Sequence, residues 1–219
     1  MTTEEKGNII TELDVLYGMD IPWYGFEKLE PATLPLGPKV DATWITYRRG
    51  VKGKWSFIHT LFMMLMTIQV PPRAPPLHFS WSGKFKILQV ADLHFSVSQG
   101  TCRDTDLKPC EHSDNLTSTL ISHVIDEEQP DLIVFSGDQL NGQGTTWDAK
   151  SVLAKFSKAA IDHRIPWAPV FGNHDMEDGL ARVHQMALMK ALPYSLVETG
   201  PSDIHGVGNY VLKVFSPDP

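Results

Sequence analysis

Three short stretches concentrate side chains that bind metals or move protons: "ADLH" at 91–94, "SGDQLN" at 136–141 and "FGNHD" at 171–175. Asp92 and His94 lie two residues apart, so they project to one side if the strand before them continues. Asp138 follows Gly137 where an apolar run ends, and Asn173, His174 and Asp175 set an amide, an imidazole and a carboxylate in succession. Each stretch alone has an ordinary reading. Asp92 and His94 fit a surface loop, Asp138 a helix cap or turn, and the Gly-Asn-His-Asp run a turn. Together they supply carboxylate, imidazole, carboxylate and amide, a mixed nitrogen and oxygen set suited to Zn, Mn or Fe. Two neighbouring metals need a bridging anion, and the carboxylate of Asp138 can serve as one.

Such a set works only if the chain gathers it. "FKILQVA" (85–91), "DLIVFSGD" (131–138) and "IPWAPV" (165–170) are apolar runs with the length and composition of buried strands. Between the first two, Leu116, Leu120, Ile121, Val124 and Ile125 recur at helical spacing, with Ser113 as a plausible N-cap. Val152, Leu153, Phe156 and Ile161 mark a second helix over roughly 149–163. "LARVHQMALMKAL" is a third helix and "GNYVLKVF" a closing strand. Strand-helix-strand alternation with nearly continuous apolar strands predicts an α/β domain built on a parallel sheet with helices covering it. The three polar stretches then stand at the C-terminal ends of successive strands, the edge where open α/β sheets place their sites.

Residues 1–54 read as an accessory segment of short strands and loops, including "NIITELDVLYG" and "KVDATWITYRRG". Residues 55–83 hold the apolar run "WSFIHTLFMMLMTIQV" and then "PPRAPPL", with four prolines in six positions, read as a linker. The apolar run spans 16 residues (55–70), short of the roughly 20 that cross a bilayer. It reads as a buried segment, with a membrane or interfacial anchor as the alternative.

Nineteen basic and 26 acidic residues give a formal charge of −7, so the chain as a whole repels polyanions. The only basic cluster is "YRRGVKGK", which argues against a dedicated nucleic-acid binder. Cys102 and Cys110 are the only cysteines. Alone they cannot make a zinc site, and either a local disulfide or two free thiols fits. The polar start "MTTEEKGNII" is no signal peptide, which favours the cytoplasm. The cysteine pair and the Asn115-Leu116-Thr117 sequon point to a secretory or vacuolar route as the alternative.

"KILQVADLH", "VFSGDQLNG" and "FGNHD" resemble the calcineurin-like metallophosphoesterases, whose motifs run D-x-H, G-D, G-N-H-[DE], a later His and G-H-x-H. "CRDT", "DEEQPDLIVFSGDQLNG", "IPWAPVFGNHD", "LPYSLVETGP" and "GVGNYVLKV" are similar to the fungal branch related to the yeast dosage-dependent cell-cycle regulator phosphatase. Plant purple-acid-phosphatase-like members are more distant relatives. "TELDVLYGMD" and "ITYRRG" resemble the region before the catalytic domain in that branch. The resemblance covers nearly all of 84–219 and parts of 8–50.

It implies the N-terminal half of an α/β/β/α sandwich that hydrolyses phosphomonoesters, phosphoproteins among them, with two divalent ions (Mn, Zn or Fe). Asp92 and His94 would hold the first ion, Asp138 would bridge, and Asn173 would hold the second. His174 would face the phosphate, stabilising charge or protonating the leaving oxygen, and Asp175 would orient His174. The implied reaction is in-line displacement at phosphorus by a metal-activated hydroxide.

Departures from the pattern carry expectations of their own. The chain ends at "VFSPDP", before the later His and the G-H-x-H, which predicts a truncated member with poor metal affinity. His184 reads as a helix-surface residue and His205 as a loop residue, and neither stands in a matching motif. The apolar run at 55–70 matches nothing expected between the two similar regions and reads as a local insertion or a gene-model artefact. Asn141 stands where purple acid phosphatases place a tyrosine ligand, so no iron-tyrosinate site is expected. The G-D-x-V-D-R-G motif of Ser/Thr protein phosphatases is absent, since "QLNG" follows Asp138. Two further readings stay open: a catalytically incomplete regulatory or binding relic of the family, and a metallo-nuclease or phosphodiesterase.

Overall fold

The computed structural model describes residues 9–17, 22–29, 43–50, 71–97, 99–103, 105–106 and 108–217. The apolar run expected to be buried or anchored, 55–70, lies outside the described residues. Among those that are described, no helix is long and apolar enough to cross a membrane.

The N-terminal segment forms the small β-rich unit expected. Strand β1 (Ile9–Tyr17) runs antiparallel to β3 (Thr43–Gly50), from Ile9 opposite Gly50 to Tyr17 opposite Thr43, with a bulge between Ile10 and Glu12. A two-residue strand, β2 (Glu27–Lys28), pairs with the other side of β3. Leu16, Phe26, Thr46 and Tyr47 are buried, whereas Leu13 and Ile10 are exposed. The unit meets the rest of the chain through Asp14, which pairs with Lys150, and through Trp23, whose ring lies 5.5 Å from the Lys150 ammonium.

The α/β domain carries a parallel sheet in the order β5 (Ile87–Val90), β6 (Leu132–Ser136), β7 (Trp167–Val170). Central β6 has the near-continuous apolar sequence such a position requires, with Leu132, Ile133 and Phe135 buried. Pro169 is tolerated because β7 lies at the edge of this sheet, where a missing N–H breaks no ladder.

Helix α1 (Ser113–Glu128) connects β5 to β6, α2 (Ala149–Asp162) connects β6 to β7, and α3 (Arg182–Lys190) follows β7. All three pack on one face of the sheet. Ile121 and Ile125 from α1, Val152, Leu153 and Phe156 from α2, and Met186 and Met189 from α3 share one core with Ile133, Phe135 and Trp167. Phe135, Phe156 and Trp167 meet edge to face at centroid distances of 5.0, 5.8 and 6.1 Å, the arrangement aromatic quadrupoles favour. The opposite face is not helical. There Leu132 and Ala168 pack on Leu77 and Val214, which belong to a short parallel ribbon of β4 (Leu77–His78) and β8 (Val214–Phe215).

Some details differ from the periodicity reading. Leu116 and Leu120 are exposed, because the inward stripe of α1 starts at Asp114 and continues through Ile121 and Ile125. Ser113 is not the N-cap; His112 holds that place without a side-chain cap bond. Of "GNYVLKVF", only Val214 and Phe215 pair as strand, and their partner lies in the proline-rich stretch read as a linker.

Candidate metal centre

The sheet delivers its polar residues to one edge. Beyond β5 and β6 the two chains stay paired: Asp92 N–H donates to the Gly137 carbonyl (3.0 Å), His94 N–H to Asp138 (2.9 Å) and Phe95 N–H to Gln139 (2.9 Å). Within this paired loop Asp92, His94 and Asp138 all take left-handed backbone, with φ of 56°, 49° and 52°. Left-handed φ is uncommon for residues other than glycine and concentrates at functional sites, where surrounding contacts hold the strain. Their convergence therefore does not come from the two-residue period of a continuing strand, since β5 ends at Val90. Successive left-handed kinks bring the side chains together.

One ligand atom from each of Asp92, His94 and Asp138 lies within 4.8 Å of the others. Neighbouring donors on a common first-row ion stand about 3.1–3.6 Å apart at bond lengths near 2.2 Å, so side-chain adjustments of about 1 Å bring the three onto one ion. The set is one imidazole and two carboxylates, graded from exposed Asp92 to buried Asp138. Its geometry and its donor chemistry both fit a divalent metal ion.

The third stretch is tied to the second. His174 N–H donates to Asp138 Oδ1 at 2.9 Å, and the His174 ring meets the His94 ring edge to face at 5.2 Å. Gly172 lies so close that a β-carbon there would come within 2.1 Å of Asp138 Oδ1. Gly172→Ala is thus expected to force Asp138 out of place. The expected cost is about 1–3 kcal/mol of overpacking, read as a lower thermal midpoint together with weakened Mn²⁺ or Zn²⁺ binding. Asn173 is exposed at the start of the 3₁₀ turn His174–Met176, next to both residues that hold Asp138.

Asp175, expected to orient His174, makes its side-chain contacts with backbone amides. Its buried carboxylate accepts backbone N–H bonds from Asp138 (3.0 Å), Leu140 (2.9 Å) and Gly172 (2.6 Å), and no ion pair joins it to the His174 ring. Burial pushes its carboxyl above the ordinary range, opposed by those same three amides. Asp175 clamps the two loops that present Asp138. Gln185, buried on α3, in turn donates to the Asp175 carbonyl and to that of Leu180 (2.8 Å).

The carboxylate that meets the His174 ring is Glu177, three residues on, with Oε1 2.8 Å from Nδ1. The distance is that of an ion pair, although the ring N–H is not aligned for a hydrogen bond. Glu177 is the main cause that raises the His174 pKa above its ordinary value, and the imidazole lowers Glu177 in return. The only sequence signal for Glu177 is its i+3 spacing from His174 within a turn. Its Oε2 also accepts the Gln143 N–H (3.0 Å), while Asp178 accepts from Gly144, Thr146 N–H and the Thr146 hydroxyl. The two carboxylates fasten the turn at 141–146 to the His174 segment.

A raised histidine pKa means the proton is held to higher pH than in the free side chain. Glu177→Gln removes the anion responsible, so His174 should lose its proton at lower pH than in the parent chain. Titrating its Cε1–H by NMR in the metal-free protein checks this, and an unchanged midpoint would refute the pairing.

Around the cluster, Cys102 and Cys110 are joined as a disulfide, one of the two states the sequence allows. His184 is exposed on α3 and His205 lies exposed in a turn, both as expected.

Comparison with known proteins agrees with this architecture. Residues 85–214 match the family model described as calcineurin-like phosphoesterase. The chain is similar to Phosphatase DCR2 of Saccharomyces cerevisiae, 33% identical over 97% of this chain and 35% of the yeast protein. It is also similar to two Arabidopsis thaliana proteins. One, "Probable inactive purple acid phosphatase 14", is 41% identical over 78% of this chain and 45% of the plant protein. The other, "Probable inactive purple acid phosphatase 28", is 39% identical over 64% and 38% respectively. The chain thus spans less than half the length of these relatives. With its sheet, its paired strand-end loops and its metal-compatible triad in the order that family uses, the chain belongs to the calcineurin-like phosphoesterases.

Proposed function

We propose that the protein is a metal-dependent phosphatase acting on phosphomonoesters, phosphoproteins among them. The observation that carries this reading is the convergence of Asp92, His94 and Asp138 beside His174 at the C-terminal edge of the parallel sheet. Asp92, His94 and Asp138 would hold one divalent ion, and Asp138 with Asn173 a second; Mn, Zn and Fe suit the donors. Such ions supply Lewis-acid stabilisation of phosphoryl charge and a water acidic enough to ionise near neutrality.

The chain's own residues do the rest. His174 stands beside His94, and Glu177 favours its protonated form, as required to donate a proton to the leaving oxygen. Asp175 holds the amides of Asp138, Leu140 and Gly172, keeping the bridging carboxylate in register with His174.

The test is metal content together with p-nitrophenyl phosphate hydrolysis, titrated with Mn²⁺ and Zn²⁺, on the chain and on Asp138→Asn. Metal-dependent turnover that disappears in the variant supports the reading. A folded chain that binds neither metal overturns it. A second reading, a relic that binds metal without turnover, is favoured by the names of the two plant relatives and by the small donor set, a single group of three among the described residues. Stoichiometric metal with no phosphate release would select it.

A further inference from the structure

Beside the cluster lies a cleft of about 730 Å³, and Asp92, His94 and His174 form part of its wall. The rest comes from Ser96, from residues 100–103 and 105, from the first turns of α1 and from the turn at 141–145. Its wall is mixed, with Leu93 among the lining residues and Thr101, Thr117, Asn141 and Thr145 contributing hydroxyls and an amide. Among its described lining residues Arg103 is the one Lys or Arg side chain.

Arg103 is held in place from two directions. Its Nη2 donates to Gln143 Oε1 at 2.9 Å, and its backbone adjoins the Cys102–Cys110 bridge, where Cys102 N–H also donates to the Cys110 carbonyl (3.2 Å). The Gln143 backbone is bonded to Glu177 Oε2, and Glu177 Oε1 faces His174. Gln143 thus links the guanidinium to the carboxylate that pairs with the candidate proton donor. A guanidinium carries five N–H donors in a rigid fork, and the Gln143 bond engages only one end of it. The free part of that fork suits a carboxylate or phosphate oxygen pair.

We propose that Arg103 is a specificity-determining residue. It binds a second anionic group, a carboxylate or another phosphate, carried on the alcohol portion of the phosphomonoester. The inference rests on the phosphatase reading, since it places that alcohol portion in this cleft. Arg103 is exposed and belongs to no core, so replacing it leaves the fold intact.

The experiment compares the full chain with Arg103→Gln, both loaded with Mn²⁺. One probe pair is a phosphoserine peptide flanked by aspartates and the same peptide flanked by alanines; the other is a sugar bisphosphate and its monophosphate. Affinity is read by calorimetry and turnover by phosphate release, with p-nitrophenyl phosphate as the substrate lacking a second anion. In at least one pair the parent chain is expected to favour the more anionic member by about 10- to 100-fold, the worth of a charge-assisted bond. Arg103→Gln is expected to abolish that preference, read as the ratio within each pair, with p-nitrophenyl phosphate hydrolysis measured beside it to scale out any general change in turnover. A preference in the peptide pair assigns the anion to a protein substrate, and one in the sugar pair to a small molecule. Equal preference in parent and variant, or none in either pair, overturns the proposal. If no probe releases phosphate, the phosphatase reading fails, and the calorimetric ratio still decides the role of Arg103.

Discussion

Asp138→Asn is expected to weaken Mn²⁺ or Zn²⁺ binding by at least about 100-fold, and to remove any metal-dependent phosphate release with it. Losing a residue that only orients a metal ligand already costs about 10- to 100-fold, and Asp138 is itself a donor of the cluster. The substitution is well controlled. Asparagine keeps Oδ1, which accepts the His174 N–H, and it keeps the shape that fits against Gly172. What it removes is the negative charge that a bridging ligand must bring. Calorimetric metal titration with a thermal melt of the metal-free protein separates the outcomes. A variant with unchanged melting and lost metal affinity agrees with the assignment. Undiminished affinity would show that Asp138 is no ligand.

The second large effect lies under the floor of the site. Lys155 on α2 and Asp114 on α1 form an ion pair of 2.9 Å, with side chains only 5% and 4% exposed. Asp114 Oδ2 also accepts the Ser96 N–H (3.0 Å), and the Lys155 ammonium donates to the Ser96 carbonyl (2.8 Å). The pair therefore anchors both helices to the chain two residues past His94. Lys155→Met leaves a buried carboxylate without its cation, which costs about 3–5 kcal/mol. In a protein of this size each kcal/mol lowers the thermal midpoint by roughly 2–4 °C, so the melt should fall well clear of error. The double variant Lys155→Met with Asp114→Leu removes both charges together and should recover much of the loss. If it is no more stable than the single variant, the penalty comes from lost packing and not from the stranded charge.

The fold was legible in the sequence wherever burial imposes a period. Runs such as "LIVFS" and the spacing of Val152, Leu153 and Phe156 expose their structure because water exclusion selects apolar side chains at every inward position. The same logic misjudged α1. Leu116 and Leu120 fit a helical stripe, yet the inward position at the start of that helix belongs to Asp114. A charged residue gives no periodic sign of being buried, because its burial depends on a partner 41 residues away.

At the site, residue types and order alone singled out Asp92, His94, Asp138, Asn173, His174 and Asp175, since metal and proton chemistry restricts which side chains can serve. Which partners each carboxylate meets was decided by tertiary structure. Asp175 turned inward to collect three backbone amides, while Glu177 took the place beside the His174 ring. Arg103 and Gln143 met through contacts between loops. The left-handed backbone at Asp92, His94 and Asp138 was equally hidden, because propensity assigns such a conformation to glycine and only the neighbouring strand holds it elsewhere. The sequence by itself determined which groups are available and the order in which the strands present them. Their partners were decided only when the packed sheet set distant loops side by side, because hydrogen bonds and ion pairs act over a few ångströms of space and take no account of distance along the chain.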